Sequence, residues 1–111
     1  MNKRDYAQAV RQLNDAFRKT GTGGHQMITP GIQEMGLASV ALIRSMVAEY
    51  RKFTEGNDPY QEHDFGSMTF RRQTVFWKID YYDKTLTEGS PNPSDPDVTT
   101  RVLTIMLARE Y

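Results

Sequence analysis

The segment Asn57–Gly66 holds the densest set of residues that could do chemistry, with His63 between Glu62 and Asp64. A histidine flanked by carboxylates can be held in one tautomer and act as a general base. Nucleophilic catalysis also needs an activated hydroxyl or thiol. The nearby Ser67 does not lie in a Gly-x-Ser-x-Gly sequence, the strained turn typical of an activated serine. We therefore predict a structural role for His63, either pairing across a sheet with Asp80 or closing the loop. Catalysis by His63 remains the alternative.

The same segment could offer nitrogen and oxygen ligands to a metal ion. Consecutive residues of a strand point to opposite faces, so Glu62, His63 and Asp64 would not converge on one ion if they lie in a strand. The ligand spacings typical of zinc sites and EF-hand loops do not occur in the sequence. We therefore predict neither a metal site nor a cofactor.

The tract Phe76–Asp83 is the most aromatic part of the chain. Strand alternation would place Trp77, Ile79 and Tyr81 on one face, which we expect to be core. The opposite face would then mix aromatic and charged side chains, a composition enriched at protein interfaces. Its members are Phe76, Lys78, Asp80 and Tyr82. A helix that covers this second face is the plain alternative.

The elements that must position these residues follow from periodicity and turn signals. Apolar residues at helical spacing predict a first helix over about 3–19 and a second over about 37–53. Two runs rich in β-branched and aromatic residues predict a hairpin, 63–70 with 73–82. If Arg71 and Arg72 form a two-residue turn, the strands pair so that Phe65 faces Lys78, Met68 faces Val75 and His63 faces Asp80. A short strand is expected after the first helix, at 25–29.

Residues 84–97 form a long loop that contains three prolines. Asp95 and Pro96 at its end are a favourable helix start, so the tail from Val98 is predicted to be helical. The β-branched content of the tail makes a strand the competing prediction. Together the elements predict an α+β fold in one domain, residues 1–111. A small antiparallel sheet of about three strands, centred on the hairpin, packs against two or three helices in the order α-β-α-β-β-α.

Composition limits the function classes. The chain has no cysteine, which excludes disulfides and thiol chemistry, and it has no apolar stretch that could span a membrane. Without an export signal at the N-terminus, we expect a soluble cytoplasmic protein. Lys and Arg (14) balance Asp and Glu (14), which disfavours nucleic-acid binding. The charges are unevenly placed: residues 1–53 carry eight basic and four acidic residues, whereas residues 54–111 carry six and ten.

The opening motif Leu13–Arg18 resembles that of a bacterial family of unknown function, catalogued as family 3768. Three longer motifs resemble the same family. They are Asn57-Asp58-Pro59-Tyr60-x-Glu62-His63-Asp64-Phe65-Gly66, Phe76–Asp83 and Val98–Ala108. The resemblance implies a small bacterial accessory protein, of a kind often carried on plasmids and other mobile elements. Small proteins encoded on such elements often inhibit host defence, so the resemblance suggests an inhibitor of a host defence nuclease complex, of the anti-CRISPR or anti-restriction type. The resemblance implies no catalytic residue.

The leading hypothesis is therefore a binding protein that works through protein–protein contact. The predicted contact surface consists of Asp58, Tyr60, Glu62, His63, Asp80, Tyr82 and Asp83. One alternative is a small hydrolase or nucleic-acid-processing enzyme that uses His63 with a neighbouring carboxylate. The other is direct nucleic-acid binding through the basic first helix.

Overall fold

The computed structural model describes all 111 residues, Met1–Tyr111. Three helices and four strands follow one another along the chain, with a turn of 3-10 helix on either side of the last strand. The elements are α1 Lys3–Thr20, β1 Gly24–Ile28, α2 Pro30–Gln33, α3 Leu37–Ala48, β2 Phe65–Phe70, β3 Gln73–Tyr82 and β4 Thr100–Leu107, with 3-10 turns at Pro96–Val98 and Ala108–Glu110. The α+β class predicted from the sequence is confirmed.

Helix α1 has the termini that its sequence predicts. The Asn2 side chain accepts a hydrogen bond from the Asp5 amide at 2.8 Å, which satisfies one of the free N–H groups of the first turn. Gly21 ends the helix in the left-handed conformation, with φ 75°, and its amide donates to the Phe17 carbonyl. The predicted first helix is confirmed, and so is the short strand β1 that follows it.

Helix α3 ends at Ala48, so the predicted helix over 37–53 is too long. The end coincides with a buried guanidinium from α1. Arg18 Nη1 donates to the carbonyls of Val47 at 2.8 Å, Ala48 at 3.0 Å and Tyr50 at 3.2 Å. These bonds satisfy carbonyl groups that a helix end leaves free, so the chain can leave the helix before Tyr50.

The hairpin forms in the predicted register, with Phe65 opposite Lys78 and Met68 opposite Val75. Arg71 and Arg72 both have positive φ, 49° and 67°, as a two-residue turn of the I′ type requires. The predicted pairing of His63 with Asp80 is wrong. The strand begins only at Phe65, because His63 has a φ of 54° and the chain there is not extended.

The predicted C-terminal helix is also wrong, because residues 100–107 form strand β4. Asp95 does accept a hydrogen bond from the Asp97 amide, at 2.9 Å, but the helical start stops after the single turn Pro96–Val98. β4 then lies between β1 and β3 in a sheet of order β1-β4-β3-β2. In this central position both of its edges are hydrogen-bonded, and its β-branched side chains suit a strand.

The sheet therefore has four strands rather than about three, and it is mixed. β1 runs parallel to β4, whereas β2, β3 and β4 are antiparallel. All three helices pack on one side of the sheet, where they share a buried cluster with alternate strand residues. Its fully buried members include Phe17, Ile32, Ile43, Val75, Trp77, Leu103 and Ile105. The predicted core residues Trp77, Ile79 and Tyr81 do lie on this side.

No helix covers the other side of the sheet, which we call the open face. Strand alternation and the observed register place there Met27 of β1, Phe65 of β2, Phe76, Lys78, Asp80 and Tyr82 of β3, and Val102, Thr104 and Met106 of β4. The face predicted to mix aromatic and charged residues is therefore not covered by a helix.

Candidate functional site

His63 is clamped between two carboxylates that come from distant parts of the chain. Its Nδ1 lies 2.9 Å from Asp15 Oδ1 on α1, and its Nε2 lies 3.6 Å from Asp58 Oδ2 in the loop before β2. The imidazole also stacks on the Phe53 ring, with 3.7 Å between centroids and an interplanar angle of 3°. We call Asp15, Asp58 and His63 the histidine clamp.

The loop that carries the clamp is tied together by its own side chains. Asp58 is only 6% exposed, and its Oδ1 accepts a hydrogen bond from the His63 amide at 3.1 Å. The Asn57 side chain donates to the Lys52 carbonyl and accepts from the Thr54 amide, both at 2.8 Å. Asn57 and Asp58, which dominate the sequence motif, thus fix the shape of this loop.

Asp15 connects the clamp to the core through Arg18. Arg18 Nη2 lies 2.9 Å from Asp15 Oδ1, and the Arg18 side chain is 1% exposed. Its guanidinium lies over the rings of Phe53 and Trp77, 5.5 Å and 5.2 Å from their centroids. A buried cation that pairs with a carboxylate, two rings and several carbonyls holds α1, α3 and the clamp in one arrangement.

A second polar network lies beside the clamp on the helix side of the sheet. Tyr81 Oη donates to Glu62 Oε1 at 2.8 Å and accepts from Asn14 Nδ2 at 2.8 Å. Asn14 Oδ1 in turn accepts from Arg101 Nε at 2.7 Å. The network links α1, the loop, β3 and β4, and it uses the half-buried carboxylate of Glu62 internally.

Burial shifts the ionisation of several groups in and around this network. It is the main cause that raises the pKa of Glu62, although the Tyr81 hydroxyl lowers that pKa by donating to the carboxylate. Burial also raises the pKa of Asp64 and of the Tyr81 phenol, and it lowers the pKa of Arg101. The protein thus places acidic groups where water solvates them poorly.

His63 and Phe53 contribute to the lining of two clefts. One, of about 340 Å³, is lined by Arg11, Asp58 and Gln61 among others, and the other, of about 590 Å³, extends toward Arg51. The side-chain hydrogen bonds of His63 go to Asp15. No serine or threonine hydroxyl is hydrogen-bonded to either ring nitrogen, so the arrangement lacks the base–nucleophile contact of a catalytic triad.

The open face has a different character. The Phe65 and Phe76 rings lie 5.2 Å apart, and Phe76 meets the C-terminal Tyr111 ring edge-on at 5.8 Å. Lys78 Nζ lies 2.7 Å from Asp80 Oδ2, and the two side chains are 35% and 36% exposed. The hydrogen bond to Asp80 raises the pKa of Lys78. The open face thus combines aromatic rings with one exposed ion pair.

The loop after β3 is organised around Asp83. Its Oδ1 accepts from the amides of Thr85 and Thr87, both at 3.1 Å, and the Thr87 amide is the main cause that lowers its pKa. Farther along, the hydroxyls of Ser90 and Thr99 lie 2.7 Å apart. The loop thus returns to the start of β4 through its own polar contacts.

The predicted contact residues therefore fall into separate groups. Asp58, Glu62 and His63 meet on the helix side, and Tyr60 projects from the same loop with 77% exposure. Asp80 and Tyr82 lie on the open face, and Asp83 begins the following loop.

Sequence reasoning missed four residues that hold the two networks: Asn14, Asp15, Arg18 and Arg101. Asn14 had a usable signal, because it occupies the buried stripe of α1 with Val10 and Phe17 at spacings of four and three. A polar residue in such a stripe indicates a buried partner.

Two further observations bear on the site. No group of three or more acidic or histidine side chains, the histidine clamp included, is arranged so that it could hold a metal ion. The helices also include none with the length and apolar character needed to cross a membrane.

Comparison with family models gives a match over residues 28–110, well over half of the chain, to a family described as a protein of unknown function (DUF3768). The chain belongs to this family. The DUF3768 match includes Asp58, His63 and strands β2 to β4, whereas α1, which supplies Asp15 and Arg18, precedes it. Searches of curated proteins and of solved structures gave no match.

Proposed function

We propose that this chain is a small accessory protein that works by binding another protein through the open face. The observation that carries the proposal is a sheet covered by helices on one side only, whose other side presents aromatic rings and an ion pair. Rings, methionine and a few charges around a buried centre are the composition enriched at protein interfaces. Val102 and Met106 on this face are only 8% and 3% exposed, so the contact area comes from the rings and the ion pair around them.

The loop before β2 that carries Asp58 and His63, here called the polar loop, supports binding rather than catalysis. Asp58 Oδ1 accepts from the His63 amide and Glu62 Oε1 accepts from the Tyr81 hydroxyl, and both ring nitrogens of His63 face carboxylates. A general base needs a nitrogen directed at the proton that it removes. The loop therefore acts as a brace for the helix layer, and Tyr60 is its exposed side chain.

The partner that we propose is a complex that handles nucleic acid, such as a host defence nuclease, which the chain would inhibit in the cytoplasm. The support is the setting on plasmids and other mobile elements that the family resemblance implies. Direct nucleic-acid binding through the basic first helix is less well supported, because the chain has no net charge and Arg18 of that helix is buried in contacts with Asp15 and backbone carbonyls.

The test is capture of the partner from the native host with the intact chain as bait, followed by mass spectrometry. The variants Asp80→Ala and Tyr82→Ala should each lose capture while the thermal midpoint changes little, and Lys84→Ala in the exposed loop is the matched control. Adding the captured complex to a nuclease assay then tests inhibition. Equal capture by all variants would refute binding through the open face.

A hydrolytic function is the second candidate, favoured by the two clefts beside His63. It predicts turnover of an ester, amide or phosphodiester substrate that His63→Ala abolishes although the protein stays folded. Circular dichroism and the thermal midpoint of His63→Ala provide the folding control. Turnover that persists in this variant rules the candidate out.

A further inference from the structure

Strand β2 is an edge strand without the usual protection. It hydrogen-bonds only to β3, so one of its two edges has no partner strand. Its six residues, Phe-Gly-Ser-Met-Thr-Phe, include no charged residue and no proline. Natural proteins commonly block such edges with lysine, proline or a bulge, because an exposed edge is a template for pairing with another strand.

The outward-facing peptide groups of this edge can be identified from the ladder. The Asp64 carbonyl accepts from the Ile79 amide at 2.9 Å, which makes these two residues a hydrogen-bonded pair. In an antiparallel ladder such pairs alternate along the strand, so Gly66, Met68 and Phe70 also bond to β3. The N–H and C=O groups of Phe65, Ser67 and Thr69 therefore point away from the sheet.

A groove lies beside this edge on the helix side. It has a volume of about 710 Å³ and is lined by β2 residues, by Met46 of α3 and by the segment that follows α3. Met46 and Met68 provide apolar surface in it, and the charged residues are Glu49, Arg51 and Lys52. The groove thus carries a net charge of one positive unit, from two basic residues and one acidic residue.

We propose that the β2 edge and this groove bind an extended peptide segment of a partner protein as a fifth strand of the sheet. The peptide backbone pairs with the outward groups of Ser67 and Thr69, which is recognition by strand addition. An apolar peptide side chain on the helix side contacts Met46 and Met68, and an acidic one lies near Arg51 and Lys52. Such a site lies apart from Val102 and Met106 of the open face.

A second copy of the chain fits this edge less well than a foreign peptide does. Two β2 strands paired antiparallel, about a two-fold axis perpendicular to the sheet, would keep both helix layers on the same side of the combined sheet. Arg51 and Lys52 of one copy would then face the same residues of the other. Like charges brought together in this way oppose association, whereas an acidic peptide complements them.

The test uses a random dodecapeptide library displayed on phage and panned against the intact chain. The most enriched peptide is synthesised, and its Kd is measured by fluorescence anisotropy. We expect enriched sequences to contain β-branched residues and at least one acidic residue. Failure to enrich any peptide over repeated panning would overturn the proposal.

Ser67→Pro is the decisive variant, because it removes an outward amide and leaves the bonds between β2 and β3 in place. We expect it to weaken peptide binding by at least about tenfold, which corresponds to about 1.4 kcal/mol. Thr69→Pro should act in the same way, and Ser67→Ala, which keeps the amide, is the matched control. Unchanged binding by both folded proline variants would contradict strand addition.

A scan of the peptide itself keeps the test decisive if the proline variants do not fold. Single N-methyl groups placed along the peptide should weaken binding at every second position, because alternate amides of an added strand point toward β2. Effects without this period of two would overturn the proposal. So would a dimer in sedimentation that the free peptide cannot dissociate, since β2 would then be an interface between copies.

The outcome is separable from that of the proposed function. Asp80→Ala and Tyr82→Ala change the open face and should bind the selected peptide as the wild type does. Loss of peptide binding in these folded variants would assign the peptide to the open face instead. Loss of partner capture in Ser67→Pro alone would leave strand addition standing and overturn binding through the open face.

Discussion

The polar loop before β2 and the open face of the sheet both contain aromatic and charged residues, but they use them in opposite ways. In the loop, Asp58 is buried and His63 lies between two carboxylates. On the open face, Lys78 and Asp80 pair only with each other and stay about one third exposed. A dense motif of charged residues can therefore be structural, whereas a sparser set of charges lies on the side of the sheet that the helices leave open.

The largest effect on stability is expected from Arg18→Ala in the helix layer. The change removes a buried cation from Asp15, from two aromatic rings and from the carbonyls that follow α3. We expect the free energy of unfolding to fall by about 3 kcal/mol, measured by urea denaturation. Lys19→Ala, the exposed neighbour, should change it by less than about 0.5 kcal/mol. Similar small effects of both variants would show that the helix layer does not depend on this cation.

Asp58→Ala should have the next largest effect. It leaves the His63 amide without its acceptor and removes one side of the histidine clamp. An unsatisfied buried donor costs about 1–3 kcal/mol, so we expect a loss of that size in urea denaturation. Glu55→Ala, which is exposed in the same loop, is the control. A stability equal to the wild type would mean that Asp58 is free to serve a partner.

The raised pKa of Glu62 predicts a smaller effect that depends on pH. The folded state binds this proton more tightly than the unfolded state, whose Glu pKa is near 4.5. The stability that protonated Glu62 contributes is therefore fully present below the pKa of the unfolded state, and it is lost as pH rises through the higher pKa of the folded state. In Glu62→Gln the free energy of unfolding should fall less over this window than in the wild type. An identical pH profile would argue against the burial of this carboxyl group.

The smallest effect on stability is expected on the open face. Lys78→Ala and Asp80→Ala each break an exposed ion pair, and such pairs contribute about 0–1 kcal/mol. The free energy of unfolding should change within that range, and the change should shrink further in 0.5 M salt. A loss of several kcal/mol would place this pair among the structural contacts and remove the contrast with the loop.

The sequence predicts the parts of the fold that depend on local contacts. The hairpin register follows from a two-residue turn and strand alternation, both of which are local. For the tail from Val98 the helix-cap signal at Asp95 and Pro96 favours a helix over the competing strand, whereas pairing with β1 and β3 on either side makes residues 100–107 a strand. Pairing between segments that are distant in the chain is only weakly indicated by the composition of the strand itself.

The candidate site was harder to predict than the fold. Asp15 and His63 are 48 residues apart in the chain, and the clamp exists only because α1 lies against the loop. The positive φ of His63 turns this residue away from the strand that its neighbours predict. The mixed face of β3, by contrast, follows from alternation alone, and it is the face that the helices leave uncovered.

The most direct test of the account measures partner capture and the free energy of unfolding on the same variants. For the double variant Asp80→Ala/Tyr82→Ala we predict loss of capture and a change in unfolding free energy of less than about 1 kcal/mol. For Asp58→Ala we predict a lower unfolding free energy and full capture at a temperature where the variant remains folded. Full capture by the double variant, together with loss of capture in folded Asp58→Ala, would contradict the account.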